Sequence, residues 1–297
     1  MLLALLGPLA LAIVVYALIL VRAAISRHAV PSLEATGLGA ITNFFDTLGI
    51  GSFAPTMAWL KFRKLVPDRL IPCTMLVGHT PPTMAQAVIF LVLLGVSVDP
   101  VLLVGCVIAL TMGALLGAPL VGRSRVWLVQ FIVGVALIVA AAFYVLANLH
   151  IMPAGGTAAA LPTLLTIVAI IANFIFGVLL NFGVGNYAPT LAMLSLMGMD
   201  PRLSFPIMAG GAALAAAGAS ARHIAIGEVD LRIALGLTIG GIPAVLVAAF
   251  LVKSMSVEVL RWLVIAVVVY ASMVMLRAAI SDRREGKHQP PGTAAAV

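Results

Sequence analysis

The run Gly49-Ile50-Gly51-Ser52-Phe53-Ala54-Pro55-Thr56-Met57-Ala58 has the composition of a place where one helix stops and another starts. Its glycines accept backbone conformations that a Cβ resists. Ser52 can cap the helix that follows, and Pro55 falls in the first turn of that helix, where a missing N–H does no harm. A second run, Gly183-Val184-Gly185-Asn186-Tyr187-Ala188-Pro189-Thr190-Leu191-Ala192, repeats the arrangement at a constant offset of 134 (183 against 49). A helix start of this kind presents unpaired amides and the positive end of the helix dipole, which is anion-binding chemistry. Asp46, one turn before the first run, could take a proton or a coupling ion. His79 could titrate near neutral pH or serve only as a hydrogen-bond donor.

Polar residues gather around both runs: Asn43, Asp46, Thr47, Ser52, Thr56, His79, Thr80, Thr83 and Gln86, then Asn173, Asn181, Asn186, Tyr187 and Thr190. Gly78-His79-Thr80-Pro81-Pro82-Thr83 reads as a third break, with Thr80 as cap and Pro81 as first helical residue. Its counterpart, Ala212–Ala217, has no proline, so the expected site is asymmetric. The expected substrate-binding residues are Gly49, Gly51, Ser52, Phe53, Thr56, His79 and Thr80 with Gly183, Gly185, Asn186, Tyr187 and Thr190, and Asp46 is the coupling residue. The blander readings are backbone geometry for the glycines and prolines, and bonds back into their own helices for Thr56 and Thr190.

These residues sit in a chain that is 63% apolar and 9% charged, with a mean hydropathy of +1.21. A soluble domain carries about 25% charged residues. Runs such as Leu2–Val21, Val101–Val121, Val126–Ala147, Ile233–Val252 and Val257–Leu276 approach the ~20 residues that span a bilayer. With no water to satisfy the backbone there, such runs are helices. Leu2–Val21 has no basic stretch before it and no small-residue cleavage site after it, so it reads as a retained helix rather than a signal peptide.

The offset of 134 extends beyond the decapeptides, since Pro67 meets Pro201 and Pro72 meets Pro206. Leu110-Thr111-Met112-Gly113 resembles Leu237-Thr238-Ile239-Gly240 at a slightly different offset, as expected once loops change length. Each half therefore reads as an interrupted segment (about 33–60 and 164–197) followed by three apolar segments (about 70–96, 100–121 and 126–148; 203–221, 231–252 and 257–280). The positive-inside rule tests whether the interrupted segments cross. If each is a re-entrant hairpin, Arg22, Arg27, Lys61, Arg63, Lys64, Arg69, Arg123, Arg125, Arg222, Arg232, Arg277, Arg283, Arg284 and Lys287 share one face, against Arg202, Lys253 and Arg261 on the other. A single crossing by Leu33–Leu60 parts Arg22 and Arg27 from the Lys61–Arg69 cluster and weakens that bias badly.

Three crossings per unit invert the second unit relative to the first, the plan of many secondary transporters. The expected fold is thus an all-α polytopic membrane protein: an inverted-topology internal repeat of about seven transmembrane helices plus two re-entrant helical hairpins. It forms one transmembrane domain, with an extra N-terminal helix (1–30), a first repeat (31–150), a second repeat (160–281) and a short polar tail (282–297) on the cytoplasmic side of the inner (plasma) membrane.

Other chemistries lack their signatures. No His-Glu-x-x-His, Gly-x-Ser-x-Gly or phosphate-binding glycine loop occurs, so no hydrolase or ATPase is indicated and the chain reads as no enzyme. His28, His150, His223 and His288 are scattered near expected helix ends, and Cys73 and Cys106 lack metal-ligand or disulfide spacing, so no cofactor or metal is expected. The net charge of +7 is explained by orientation of loops and calls for no nucleic acid. Gly113-x-x-x-Gly117 and Gly236-x-x-x-Gly240 read as close helix contacts.

Phe45-Asp46-Thr47-Leu48-Gly49-Ile50-Gly51-Ser52-Phe53-Ala54-Pro55-Thr56, with Asp68-Arg69-Leu70-Ile71-Pro72 and Val77-Gly78-His79-Thr80, resembles the TauE/SafE sulfite exporter family over nearly the whole chain. The resemblance implies export of a small oxidised-sulfur anion, sulfite or an organosulfonate such as sulfoacetate, by alternating access between the repeats. An interior-negative potential of about 100 mV favours exit by about 2.3 kcal/mol per charge without a coupling ion. A passive anion channel, and a membrane protein without transport activity, are the other readings. The expected partners are the anion and the lipid bilayer, with no nucleic acid; an oligomer is compatible with the sequence but not indicated by it.

Overall fold

The structure is a computed structural model that describes residues 2–121, 126–149, 156–180 and 185–286. Arg123, Arg125, His150, Asn181, Gly183, Val184, Lys287, His288 and the rest of the tail lie outside the described residues. Among the described residues the chain is helical: α1 Leu2–Ser26, α2 Leu33–Thr47, α3 Phe53–Arg63, α4 Ile71–Leu93, α5 Pro100–Val121, α6 Val126–Asn148, α7 Thr163–Leu180, α8 Tyr187–Leu196, α9 Ser204–Ile226, α10 Leu231–Ser254 and α11 Val257–Gly286. Among the described residues seven stretches are long and apolar enough to cross a membrane: Leu6–Ser26, Asp68–Leu93, Pro100–Gly117, Thr163–Leu180, Pro201–Ile226, Leu231–Ser254 and Glu258–Ser281.

The number matches the sequence expectation, but the membership differs. α7, assigned to an interrupted segment, has 18 residues and so a length of about 27 Å at ~1.5 Å per residue, close to the ~30 Å of a hydrocarbon core. α2, its counterpart, has 15 residues. In α6 the described apolar stretch, Trp127–Phe143, falls short of the length of the seven.

Hydrogen bonds define two ends of the molecule. At one, Arg63 Nε donates to Glu34 Oε1 at 2.8 Å and Trp59 Nε1 to the same oxygen at 3.0 Å, so α3 finishes where α2 began. The Arg63 bond holds the Glu34 carboxyl below its ordinary pKa, a small effect for an exposed pair. The same end holds the Ser32 N–H bond to the Arg232 carbonyl, the Asp230 N–H bond to Thr74 Oγ1 and the Arg27 bond to the Ile224 carbonyl. At the other end the Ala158 N–H donates to the Gly198 carbonyl, the Asp200 N–H to the Ala158 carbonyl and the Asp99 N–H to the Ala159 carbonyl, so α8 finishes where α7 began. α4 leaves the first end and α9 leaves the second, and they lie against each other running in opposite directions.

The halves are interlaced. α2 lies along α10 and α7 along α5, while α4 packs on α9 and α6 on α11. Lipid tails are as apolar as leucine, so these contacts depend on close approach rather than on hydrophobic exclusion. A Cβ on Gly113 would overlap the Phe174 carbonyl, one on Gly177 the Leu110 carbonyl, and one on Gly240 the Thr36 carbonyl. A Cβ on Gly39 would come within 2.5 Å of the Leu237 carbonyl oxygen. The glycine pairs expected to bring helices together do so at Gly113, Gly236 and Gly240.

The third break does not exist. α4 is continuous through Pro81 and Pro82, and Thr80 caps nothing: its hydroxyl donates to the Leu76 carbonyl at 2.7 Å. Pro81 and Pro82 lack the N–H groups that would bond the carbonyls of Val77 and Gly78. Both carbonyls are satisfied from neighbouring helices instead, Val77 by the Tyr16 hydroxyl of α1 at 2.9 Å and Gly78 by Thr238 Oγ1 of α10 at 3.0 Å. With those acceptors met, the helix has no need to unwind.

Candidate functional site

After α2 the chain turns through Gly49 at φ +96° and Gly51 at φ +88°, the left-handed conformations that these glycines permit. The Gly49 N–H donates to the Asp46 carbonyl at 2.8 Å and the Ile50 N–H to the Phe45 carbonyl at 3.0 Å, which closes the helix end. Ser52 is helical and its side chain caps nothing, contrary to the sequence expectation. Asp46 reaches across the turn instead, and its Oδ1 accepts the Ser52 N–H at 2.8 Å. A carboxylate of the chain itself thus occupies an amide at the α3 N-terminus that was expected to face substrate.

Gln86 of α4 joins this turn to the second half. Its Nε2 donates to Asp46 Oδ2 at 3.0 Å and to Thr47 Oγ1 at 2.8 Å. Its Oε1 accepts the hydroxyl of Tyr187, the first residue of α8, at 2.6 Å. The path Ser52–Asp46–Gln86–Tyr187 therefore links the two helix starts through buried groups. Gly49 also touches Leu191 of α8, at 3.7 Å from the position of a Cβ.

A second chain of bonds runs from α2 through α4 to α3. Asn43 Nδ2 donates to the Gly39 carbonyl at 2.7 Å, which turns its Oδ1 toward His79 Nδ1 at 2.9 Å. An amide oxygen only accepts, so Nδ1 carries the proton, and His79 Nε2 accepts from the Thr56 hydroxyl at 3.0 Å. Thr56 does not bond back into its own helix. The Phe53 ring stands 5.6 Å from the His79 ring, centroid to centroid.

In the second half Thr190 Oγ1 donates to Asn173 Oδ1 at 3.3 Å, again across helices. Asn186 precedes α8 without a side-chain cap and donates to the Met208 carbonyl of α9 at 3.1 Å. Both Gly51 and Gly185 face open space, with nothing within 4 Å of an added Cβ.

The structure thus gathers Asp46, Gly49, Gly51, Ser52, Phe53, Thr56, His79, Gly185, Asn186, Tyr187 and Thr190 around the two helix starts. Gly183 lies outside the described residues. Thr80 goes elsewhere: its hydroxyl meets Ser220 Oγ of α9 at 2.7 Å. Gln86, noted only as a nearby polar residue, is the hub. Tyr16 and Thr238 carried one signal: two prolines within an apolar run leave two carbonyls that something must satisfy.

A family model described as Sulfite exporter TauE/SafE matches residues 145–297. The match covers just over half of the chain and contains α7 to α11. Searches of curated proteins and of solved structures give no match.

Proposed function

The chain belongs to the TauE/SafE sulfite exporter family, and from that premise we propose that it is a secondary transporter of the inner membrane. It exports sulfite or an organosulfonate such as sulfoacetate by alternating access between two inverted repeats, with its C-terminus in the cytoplasm. The carrying observation is the meeting of two interrupted helices, joined through Ser52–Asp46–Gln86–Tyr187, beside open space at Gly51 and Gly185. In this reading α2–α3 and α7–α8 are re-entrant hairpins. Support comes from the return of each pair to its own end and from the opposed directions of α4 and α9.

The substrate sits against the α8 start. At the offset of 134, Leu180 stands where the first half has Asp46, so no equivalent carboxylate opposes an anion there. The backbone amides of the α8 N-terminus and the Asn186 side chain supply donors, and the dipole end favours negative charge. Thr56, Thr190 and His79 form the inner wall, and Phe53 and Tyr187 bound it.

Asp46 is the coupling group. Ionised, it accepts from both the Ser52 N–H and Gln86, and so locks the α3 start to α4. Protonated, one of its oxygens becomes a hydroxyl and a weaker acceptor, so the bond to that oxygen loosens. An anion arriving nearby repels the carboxylate and favours its protonation, so proton and anion are linked at one place. Among the described residues, His79 on α4 and Tyr187 on α8 are further titratable side chains buried around the two helix starts.

Proteoliposomes loaded with radiolabelled sulfite test the reading. They should release it in a saturable manner, and Asn186→Leu or Ser52→Leu should abolish the release. Undiminished flux in both variants removes the site assignment, and flux that never saturates points to a channel.

A further inference from the structure

We infer that Cys73, His223 and Glu228 form a binding site for a soft divalent cation of the zinc type, at the end of the molecule that carries Arg27 and Arg63. The Sγ, an imidazole nitrogen and a carboxylate oxygen of these residues all lie within 4.8 Å of one another. Among the described residues this is the place where three such groups converge. Thiolate, imidazole and carboxylate are the donor set that zinc takes, at ~2.0–2.3 Å from the ion, which puts ligand atoms of one tetrahedral ion roughly 3.5 Å apart. Small side-chain rotations close the difference, and the Glu228 side chain, 59% exposed, is free to make them.

The backbone around the site is fixed. Cys73 lies in the first turn of α4. His223 lies in the last turn of α9, and Gly227, at φ +82°, ends that helix. The Glu228 N–H donates to the His223 carbonyl at 3.2 Å, so these two ligands belong to one capped turn. Two residues on, the Asp230 N–H donates to Thr74 Oγ1 at 3.0 Å, which ties that turn to the residue beside Cys73.

A second observation points to a ligand. His223 Nδ1 is buried and has no hydrogen-bond partner. The Glu228 carboxylate stands 4.0 Å from it, beyond hydrogen-bonding reach. A buried polar nitrogen without a partner is costly, and an ion held between Nδ1, the carboxylate and the Cys73 thiolate satisfies it. The ion would bridge α4 of one half to α9 of the other.

Cobalt(II) titrated into the full-length protein in detergent is the test, since cobalt bound to a thiolate gives an intense near-ultraviolet charge-transfer band. The band should rise to one equivalent of cobalt per chain, disappear on adding zinc, and be lost in Cys73→Ser. Glu228→Gln and His223→Ala should each weaken binding at least about tenfold. Cys106→Ser, which removes a buried thiol elsewhere, should change nothing. Absence of the band in the wild type, or its survival in Cys73→Ser, overturns the inference and leaves the transport reading untouched.

Discussion

Tyr16 of α1 donates its hydroxyl to the Val77 carbonyl at 2.9 Å, and that carbonyl is the acceptor Pro81 leaves bare. The bond fastens α1 to the middle of α4 and removes the reason for α4 to break there. Tyr16→Phe should destabilise the protein by roughly 0.5–1.5 kcal/mol in a detergent unfolding titration. In a Pro81→Ala background, where an N–H again reaches Val77, the same substitution should cost much less. Equal costs in the two backgrounds would show that the hydroxyl acts in some other way.

Glycines here divide by what surrounds them. Gly113→Ala and Gly240→Ala each drive a methyl into a carbonyl oxygen of a neighbouring helix and should lower stability by about 1–3 kcal/mol or more. Gly51→Ala meets no atom but must hold a left-handed backbone, a cost of about 1–2 kcal/mol. Gly185→Ala likewise meets no atom and should cost less than Gly113→Ala or Gly240→Ala. Thermal melting of the purified variants orders them.

In the coupling role proposed for it, Asp46 gives transport its pH response. Its ionised form holds Ser52 and Gln86, so the locked state dominates at higher pH and flux should rise as pH falls. Asp46→Asn, which has one accepting oxygen and no titrating proton, should give flux that varies little with pH. Liposome efflux measured across a pH series with the membrane potential clamped reads this directly. A variant that keeps the wild-type slope would remove Asp46 from the coupling role.

His79 should be a neutral Nδ1–H tautomer, because Asn43 can only accept at that nitrogen and Thr56 can donate at the other. Nitrogen NMR of ring-labelled protein should show a protonated Nδ1 and a bare Nε2. Thr56→Val should shift the Nε2 resonance and leave Nδ1 nearly in place. A protonated Nε2 would reverse the polarity assigned to the whole Asn43–His79–Thr56 chain.

Local chemistry made much of this legible in advance. Gly49, Gly51 and Pro55 marked the first helix junction, and the repeat pointed to Thr56 and Thr190 together. Physics acting at a distance was not legible. Nothing near Pro81 in sequence says that Tyr16 and Thr238 will satisfy the carbonyls behind it, so a break was the natural expectation. Ser52 has a capping side chain, yet Asp46, six residues earlier, takes its amide because the glycine turn brings the carboxylate back. Gln86 looked like one polar residue among many until α8 brought Tyr187 against it. Cys73 and His223 are 150 residues apart, so no ligand spacing could announce them.

The interlacing of the halves governs how the chain can be made. Gly39 on α2 waits for Leu237 on α10, nearly two hundred residues later in synthesis, an interval of about 10–40 s at ribosomal speed. Through that time the early helix has α3 and α4 beside it but lacks the neighbour along which most of its length packs. Neither half can complete its packing alone, since α2 closes on α10 and α5 on α7.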